Sequence, residues 1–225
     1  YAKCTVGAVQ QFQFENCSFE GWNNLFKTEG TVMCSEFTFI ACRITGFAGV
    51  GFSFKNTQGV NWRFYATEIE SFTGVLFDYI YGTSVTFFQG SIIATAATAR
   101  VVRAPVEADS NQFGGGNKPN LVCYGVRFEL RAGSLLVEKL QQAVGLALVF
   151  AQCGMGGYNL PAGTKPIKWA GAGAIDFNGC DNMAGYCIDN TYYGNNNHDL
   201  AIKIRNTYLY PSFMTESVFV DAQAT

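Results

Sequence analysis

Two glutamates with strand-like spacing are the best candidates in this sequence for acid–base chemistry. Glu68 and Glu70 are two residues apart, so their carboxylates share a face if the segment is a strand. Hydrolysis of a glycosidic bond needs two carboxyl groups at a set separation, one of them acting as the general acid. The same spacing is typical of ordinary solvated strand residues, and the sequence alone favours that simpler interpretation.

The remaining residue types argue against several other kinds of chemistry. His198 is the only histidine, so neither a Ser/His/Asp arrangement nor a zinc site is indicated. The glycines at 114–116 lack the strand and helix that a dinucleotide site requires. The net charge is -2 and no basic run occurs, so no nucleic-acid surface is predicted. We expect no cofactor, no metal and no membrane span.

A segment near residue 195 combines rings with amides, a mixture suited to sugars. Rings can stack on pyranose faces, and amides can bond to hydroxyl groups. The predicted glycan-contacting residues are Tyr192, Tyr193, Asn195, Asn196, Asn197 and His198. A solvated turn is the simpler alternative for any one such loop.

One short phrase, repeated eight times, must position all of these residues. Its first copy is Phe12-x-Phe14-x-x-Cys17-x-Phe19, with apolar first, third and eighth places and a small sixth place. The copies begin at residues 12, 37, 62, 85, 121, 148, 175 and 202, and only Asn182 breaks the three apolar columns. Such a repeat is typical of a solenoid, and the apolar pair indicates a strand with one face inward.

A second apolar pair lies further along most units, so each coil holds at least two strands. Examples are Phe52-x-Phe54 and Val75-x-Phe77. Leucine-rich repeats share the spacing of the phrase but need a leucine three residues before it, where this chain has residues such as Cys34 and Gly59. We therefore predict an all-β fold, a single-stranded right-handed parallel β-helix of about eight coils.

The phrase resembles the coils of a known superfamily. The stretches 12–19 and 37–44 are similar to coils of the pectate-lyase-like β-helix superfamily, which includes many bacteriophage tailspikes. The resemblance covers nearly the whole chain, but only at the level of the fold. Lyases of that superfamily use clustered aspartates for calcium and a basic residue, and the scattered acids here allow no catalytic residue to be carried over. We expect one domain over 1–225, a segment of a longer chain, with an extruded loop at about 103–119.

The fourth place of the phrase is predicted to point outward, and in the middle coils it is apolar. The residues there are Ile40, Tyr65, Phe88 and Tyr124. An exposed apolar stripe usually marks an interface, and the tailspike resemblance implies a trimer of side-by-side rods. A sugar-stacking groove is the alternative, and a long loop that covers the stripe is a third possibility.

The eight cysteines are predicted to be mostly free and buried. Cys17, Cys42, Cys153 and Cys180 share the sixth place, which elsewhere holds Thr, Gly or Val. A place that accepts these types needs a small side chain rather than a disulfide. Free thiols indicate folding in a reducing compartment.

These observations favour a structural module of a virus surface over an enzyme. We expect a tailspike, fibre or capsid protrusion that attaches to a host glycan, located in the virion after folding in a reducing cytoplasm. Its partners would be copies of itself or other virion proteins. The alternatives are a polysaccharide-degrading tailspike that uses Glu68 and Glu70, and a cellular β-helix adhesin.

Overall fold

The computed structural model describes most of the chain and shows only β-structure there. The described residues are 2–3, 9–108, 120–131, 133–141, 145–155, 165–181, 188–190, 200–207 and 220–222. Within these ranges there are strands and turns but no helix. The strands are β1 (Ala2–Lys3), β2 (Val9–Glu15), β3 (Ser18–Glu20), β4 (Phe26–Gly30), β5 (Cys34–Ile40), β6 (Arg43–Thr45), β7 (Val50–Asn56), β8 (Trp62–Phe72), β9 (Val75–Tyr79), β10 (Ser84–Ala94), β11 (Arg100–Ala104), β12 (Asn120–Tyr124), β13 (Arg127–Leu130), β14 (Leu135–Lys139), β15 (Leu146–Ala151), β16 (Gly154–Met155), β17 (Ile167–Trp169), β18 (Gly173–Asn178), β19 (Ile188–Asn190), β20 (Leu200–Arg205) and β21 (Val220–Ala222).

The strands form two long parallel stacks. Sheet I contains the phrase strands in the order β2, β5, β8, β10, β12, β15, β18, β20, with β3, β6, β13 and β16 beside them. Sheet II has the order β1, β4, β7, β9, β11, β14, β17, β19, β21. Each strand pairs in parallel with the strand of the next coil rather than with its neighbour in the chain. This arrangement confirms the predicted fold class, a parallel β-solenoid.

The third place of the phrase forms an internal column, as predicted. Phe39 is in register with Phe14 and Phe64, and Phe64 is in register with Phe87. The ring centroids of these successive pairs are 4.9, 4.9 and 5.2 Å apart, with nearly parallel planes. Burying each such side chain contributes about 1.5–3 kcal/mol. Ile204 continues the register but is 37 % exposed, because no further phrase strand covers it among the described residues.

The fifth place of the phrase is a left-handed bend in every copy. Its residues have φ between 48° and 65°, and they are Asn16, Ala41, Ala66, Gln89, Gly125, Gln152, Gly179 and Asn206. In an uninterrupted strand the fourth and sixth places would share one face. The bend breaks that alternation, so the fourth place faces out while the sixth faces in.

The sixth place closes this bend with a hydrogen bond as well as a small volume. The Cys42 thiol donates to the Phe14 and Ile40 carbonyls, at 3.4 Å each. The Thr67 hydroxyl donates to the Tyr65 carbonyl at 3.2 Å in the same way. Cysteine and threonine therefore recur here because both are small donors, a reason that the sequence interpretation missed.

The described cysteines are free, as predicted. They are Cys17, Cys34, Cys42, Cys123, Cys153 and Cys180. Burial raises the pKa of the Cys42 and Cys123 thiols, so these side chains are small neutral groups of the core. Cys4 and Cys187 lie outside the described residues.

The stretch in which an extruded loop is expected, about 103–119, begins at the end of strand β11. Arg103 and Ala104 complete strand β11, where they pair with Glu138 and Lys139 of β14. Their apolar neighbours Val101 and Val102 are wholly buried, which holds this stretch against the core. Residues 105–108 follow as a turn, and 109–119 lie outside the described residues.

Candidate functional site

The predicted outer stripe exists as one continuous column on sheet I. Ile40 is in register with Tyr65, Tyr65 with Phe88, and Phe88 with Tyr124. Tyr65, Phe88 and Tyr124 are 37, 38 and 41 % exposed, while Ile40 is half-buried. The three aromatic residues are among the seven large exposed hydrophobic side chains in the described part of the chain. A contiguous exposed row of this kind is the feature that distinguishes an interaction surface from scattered apolar residues.

Two of the three exposed stripe rings, those of Tyr65 and Phe88, are stacked on each other. The Tyr65 and Phe88 rings are parallel within 2°, with centroids 5.4 Å apart. The Tyr124 ring is tilted by 48° against Phe88, at 6.1 Å. A sugar stacks on a free ring face, whereas stacked rings leave mainly their edges to solvent. The geometry therefore supports packing against a protein surface more than stacking of sugars.

Two charged pairs lie on the outer wall of sheet I, on either side of three uncharged strands. At one end Arg63 Nη1 lies 2.8 Å from Glu36 Oε2, and at the other Arg205 Nη2 lies 2.6 Å from Asp176 Oδ2. Between them, the outward places of three successive phrase strands are uncharged; they hold Ser84, Thr86, Phe88, Asn120, Val122, Tyr124, Ala147, Val149 and Ala151. An apolar centre with a polar rim is the usual anatomy of a protein–protein interface. The nine residues are in register and form three columns along the rod. We call these three columns of outward residues, from β5 to β20, the stripe face.

Sheet II carries a different outer column, in which the charges alternate. Asp78 is in register with Arg103, Arg103 with Glu138, and Glu138 with Lys168, which is followed by Asp189. Two bonds join Arg103 to Asp78, at 2.8 and 3.0 Å, and the Asp78 hydrogen bond raises the pKa of the Arg103 guanidinium. Asp78 is thereby covered to 3 % exposure, so this column is satisfied within the chain.

The two glutamates proposed for catalysis lie together on the outer side of β8. Glu68 is exposed and in register with Arg43 and Ser91. Glu70 is half-buried, and its Oε1 accepts a hydrogen bond from the Ser91 hydroxyl at 3.0 Å. These are contacts that solvated strand carboxylates commonly make, and they assign neither glutamate the role of acid or base.

The predicted glycan-contacting loop lies outside the described residues. This applies to Tyr192, Tyr193, Asn195, Asn196, Asn197 and His198. The loop therefore remains a prediction from the sequence.

The sequence interpretation missed a buried amine. Lys139, at the end of β14, is wholly buried and donates to the carbonyls of Gln141, at 2.7 Å, and Ala170. Its Nζ lies 5.3 Å from the centroid of the Trp169 ring. Burial lowers the pKa of this amine to about 7. Alternation along Leu135–Lys139 could have shown that Lys139 points inward beyond Glu138, because successive strand residues face opposite sides.

Protein-family models, curated proteins and solved structures give no match to this chain. The described part contains no helix long and apolar enough to span a membrane. The class that the fold defines is a parallel β-solenoid with an aromatic outer stripe.

Proposed function

We propose that the chain is a non-enzymatic structural module, a β-solenoid rod that assembles with other subunits through the stripe face. The exposed column formed by Tyr65, Phe88 and Tyr124 carries this proposal. The Tyr65 and Phe88 rings are stacked, and together with Tyr124 they leave a continuous apolar strip in water. Burying this strip on association would contribute about 25 cal/mol per Å². The uncharged centre and charged ends of the face support the same function.

The setting that we propose is a virus surface, as a tailspike, fibre or capsid protrusion. The resemblance of the phrase to tailspike coils supports it, as do the six free cysteines, which suit folding in a reducing cytoplasm. Loops that leave the rod would then contact the host glycan, with Tyr192, Tyr193 and Asn195 among the contacts. The partner of the rod would be another copy or a second virion protein.

The mass of the protein in solution tests the assembly proposal. One chain has a mass of 24.5 kDa, and we expect light scattering to give a larger, concentration-dependent value. A dispersed monomer up to millimolar concentration would contradict self-assembly through the stripe face. It would direct attention to a different virion protein or to sugar stacking.

Incubation with bacterial capsule and O-antigen polysaccharides tests the non-enzymatic part. We expect no release of reducing ends or unsaturated sugars over many hours. Release that disappears in a Glu68→Gln/Glu70→Gln variant would replace this proposal with the depolymerase alternative. Binding of the same polysaccharides without cleavage would support attachment.

A further inference from the structure

The charges on the stripe face follow a definite order along the rod. Beginning at β5, the face presents Glu36 and then Arg63 on β8. The outward places of β10, β12 and β15 are uncharged. Asp176 follows on β18, with Lys203 and Arg205 on β20. The signs are therefore negative, positive, three neutral strands, negative and positive.

This order is complementary to itself when one copy is turned end for end. A twofold axis along β12, in the plane of the face, places β10 opposite the partner's β15 and β8 opposite its β18. Arg63 and Asp176 both occupy the second place of the phrase, so they meet directly. The Glu36 end then faces the Lys203 and Arg205 end, and Phe88 packs beside the uncharged Ala151 strand.

Parallel rods packed through the same face would have the opposite electrostatics. Each strand would then face the same strand of the other copy, so Arg63 would meet Arg63 and Asp176 would meet Asp176. Like charges placed opposite one another disfavour an arrangement, while opposite charges set the register of a partner. The charge order thus separates two arrangements that the apolar stripe alone does not distinguish.

We propose that the stripe face binds a second copy of this chain in an antiparallel, twofold pair centred on β12. The proposal rests on the proposed function, since it assumes that this face is an interface. It replaces the three parallel rods that the tailspike resemblance implies with an isologous dimer. Strands about 4.8 Å apart and outward residues about 6.8 Å apart give a face of roughly 500 Å² per copy. The pair buries about 1,000 Å², the lower end for specific complexes, so it should dissociate on dilution.

Charge reversal at the two opposed positions tests the orientation. In an antiparallel pair, Arg63→Asp sets two carboxylates against each other, and Asp176→Arg sets two guanidinium groups against each other. Each variant alone should self-associate roughly tenfold more weakly than the parent, or worse. An equimolar mixture should recover the parent affinity, because both contacts between the two variants then join opposite charges. Sedimentation equilibrium measures all three affinities, and circular dichroism checks that each variant is folded.

The mixture also removes the effect of the pairs within each chain. Arg63→Asp leaves Glu36 without its guanidinium partner, and Asp176→Arg leaves Arg205 without its carboxylate partner, but mixing does not repair either loss. In parallel rods each single change only exchanges one like pair for another, so self-association would stay at the parent value. Unchanged single variants, or a mixture no stronger than its components, would overturn the antiparallel pair.

A stripe variant distinguishes failure of this pair from failure of the proposed function. If Tyr65→Asp/Phe88→Asp keeps the parent mass, the stripe face is not the interface and both proposals fall. If that variant becomes monomeric while the charge variants behave as parallel rods predict, assembly through the face stands and only the orientation is wrong.

Discussion

The outer walls of the two sheets differ in the side chains that they stack along the rod. In both walls, residues at equivalent places of successive coils lie one above another, about 4.8 Å apart. On sheet II the column alternates in sign from Asp78 to Arg103 and Glu138, so each charge has an opposite neighbour within the chain. On sheet I the column repeats one type, and Tyr65, Phe88 and Tyr124 remain more than one-third exposed.

This difference identifies the wall that needs a partner. An alternating column satisfies itself, and burying it against another protein would cost desolvation of its charges. An apolar column gains from stacking but leaves its ring edges in water, where only an outside surface can cover them. The solenoid therefore has one wall suited to solvent and one suited to contact.

The largest expected effect is loss of assembly when the aromatic wall is made like a charged one. Tyr65→Asp/Phe88→Asp should reduce the particle to a single chain, because buried unpaired carboxylates cost far more than the ring contacts they replace. The fold should survive, since neither side chain lies in the core. Light scattering gives the mass, and circular dichroism gives the strand content.

A control places two carboxylates on the wall of sheet II instead. Lys55 and Gln58 are exposed at the end of β7 and beyond it. Lys55→Asp/Gln58→Asp should keep the parent mass. Loss of assembly in this control, or its persistence in the stripe variant, would remove the distinction between the two walls.

The next largest effect is on stability, and it comes from the charged wall. Asp78→Ala should lower the free energy of unfolding by about 3 kcal/mol, because it removes both hydrogen bonds that the half-buried Arg103 donates to the Asp78 carboxylate. Urea unfolding measures the loss, and the oligomeric mass should not change. Replacing both partners, with Asp78→Ala/Arg103→Met, should recover most of the stability. A loss below 1 kcal/mol would mean that the column does not stabilise this wall.

The places of residues inside the repeated phrase could be predicted from the sequence, and the places of residues outside it could not. The phrase has a fixed length, so its inward column and the outward stripe followed from counting. The strands of sheet II lie at variable distances from it, so the pairing of Asp78 with Arg103 needed the register between coils. The left-handed φ of Ala41 and Ala66 could not be predicted, because alanine does not prefer that region.

A smaller effect concerns Lys139, the buried amine on the inner side of sheet II. Lys139 has carbonyls and an indole around it, and its pKa falls from 10.5 to about 7 on folding. Between these values the unfolded chain binds more protons than the folded chain, so stability rises with pH there; below pH 7 the full cost of burying the charge is present. Relative to Lys139→Met, the parent should gain roughly 2 kcal/mol between pH 7 and pH 9. Urea unfolding of both proteins at each pH measures this difference, and an equal slope for the two would contradict the assigned pKa.

The smallest expected effect is on the free energy of unfolding, and it comes from substitutions at the left-handed bend that leave the aromatic wall unchanged. Ala66 follows Tyr65 directly and is exposed, with φ of 48°, a conformation that costs a residue with a Cβ about 1 kcal/mol. Ala66→Gly should therefore raise the free energy of unfolding by roughly 0.5–1 kcal/mol, since glycine adopts the bend without that strain.

Gly125 occupies the equivalent bend after Tyr124, and a Cβ there would meet only Gln89 Cγ, at 3.5 Å. Gly125→Ala should thus lower stability by about the amount that Ala66→Gly adds, through strain rather than collision. Both variants should assemble as the parent does, because each keeps the aromatic side chain that precedes the bend. If either one changed the oligomeric mass, the bend would be part of the contact, and the interface would depend on backbone shape as well as on the exposed rings.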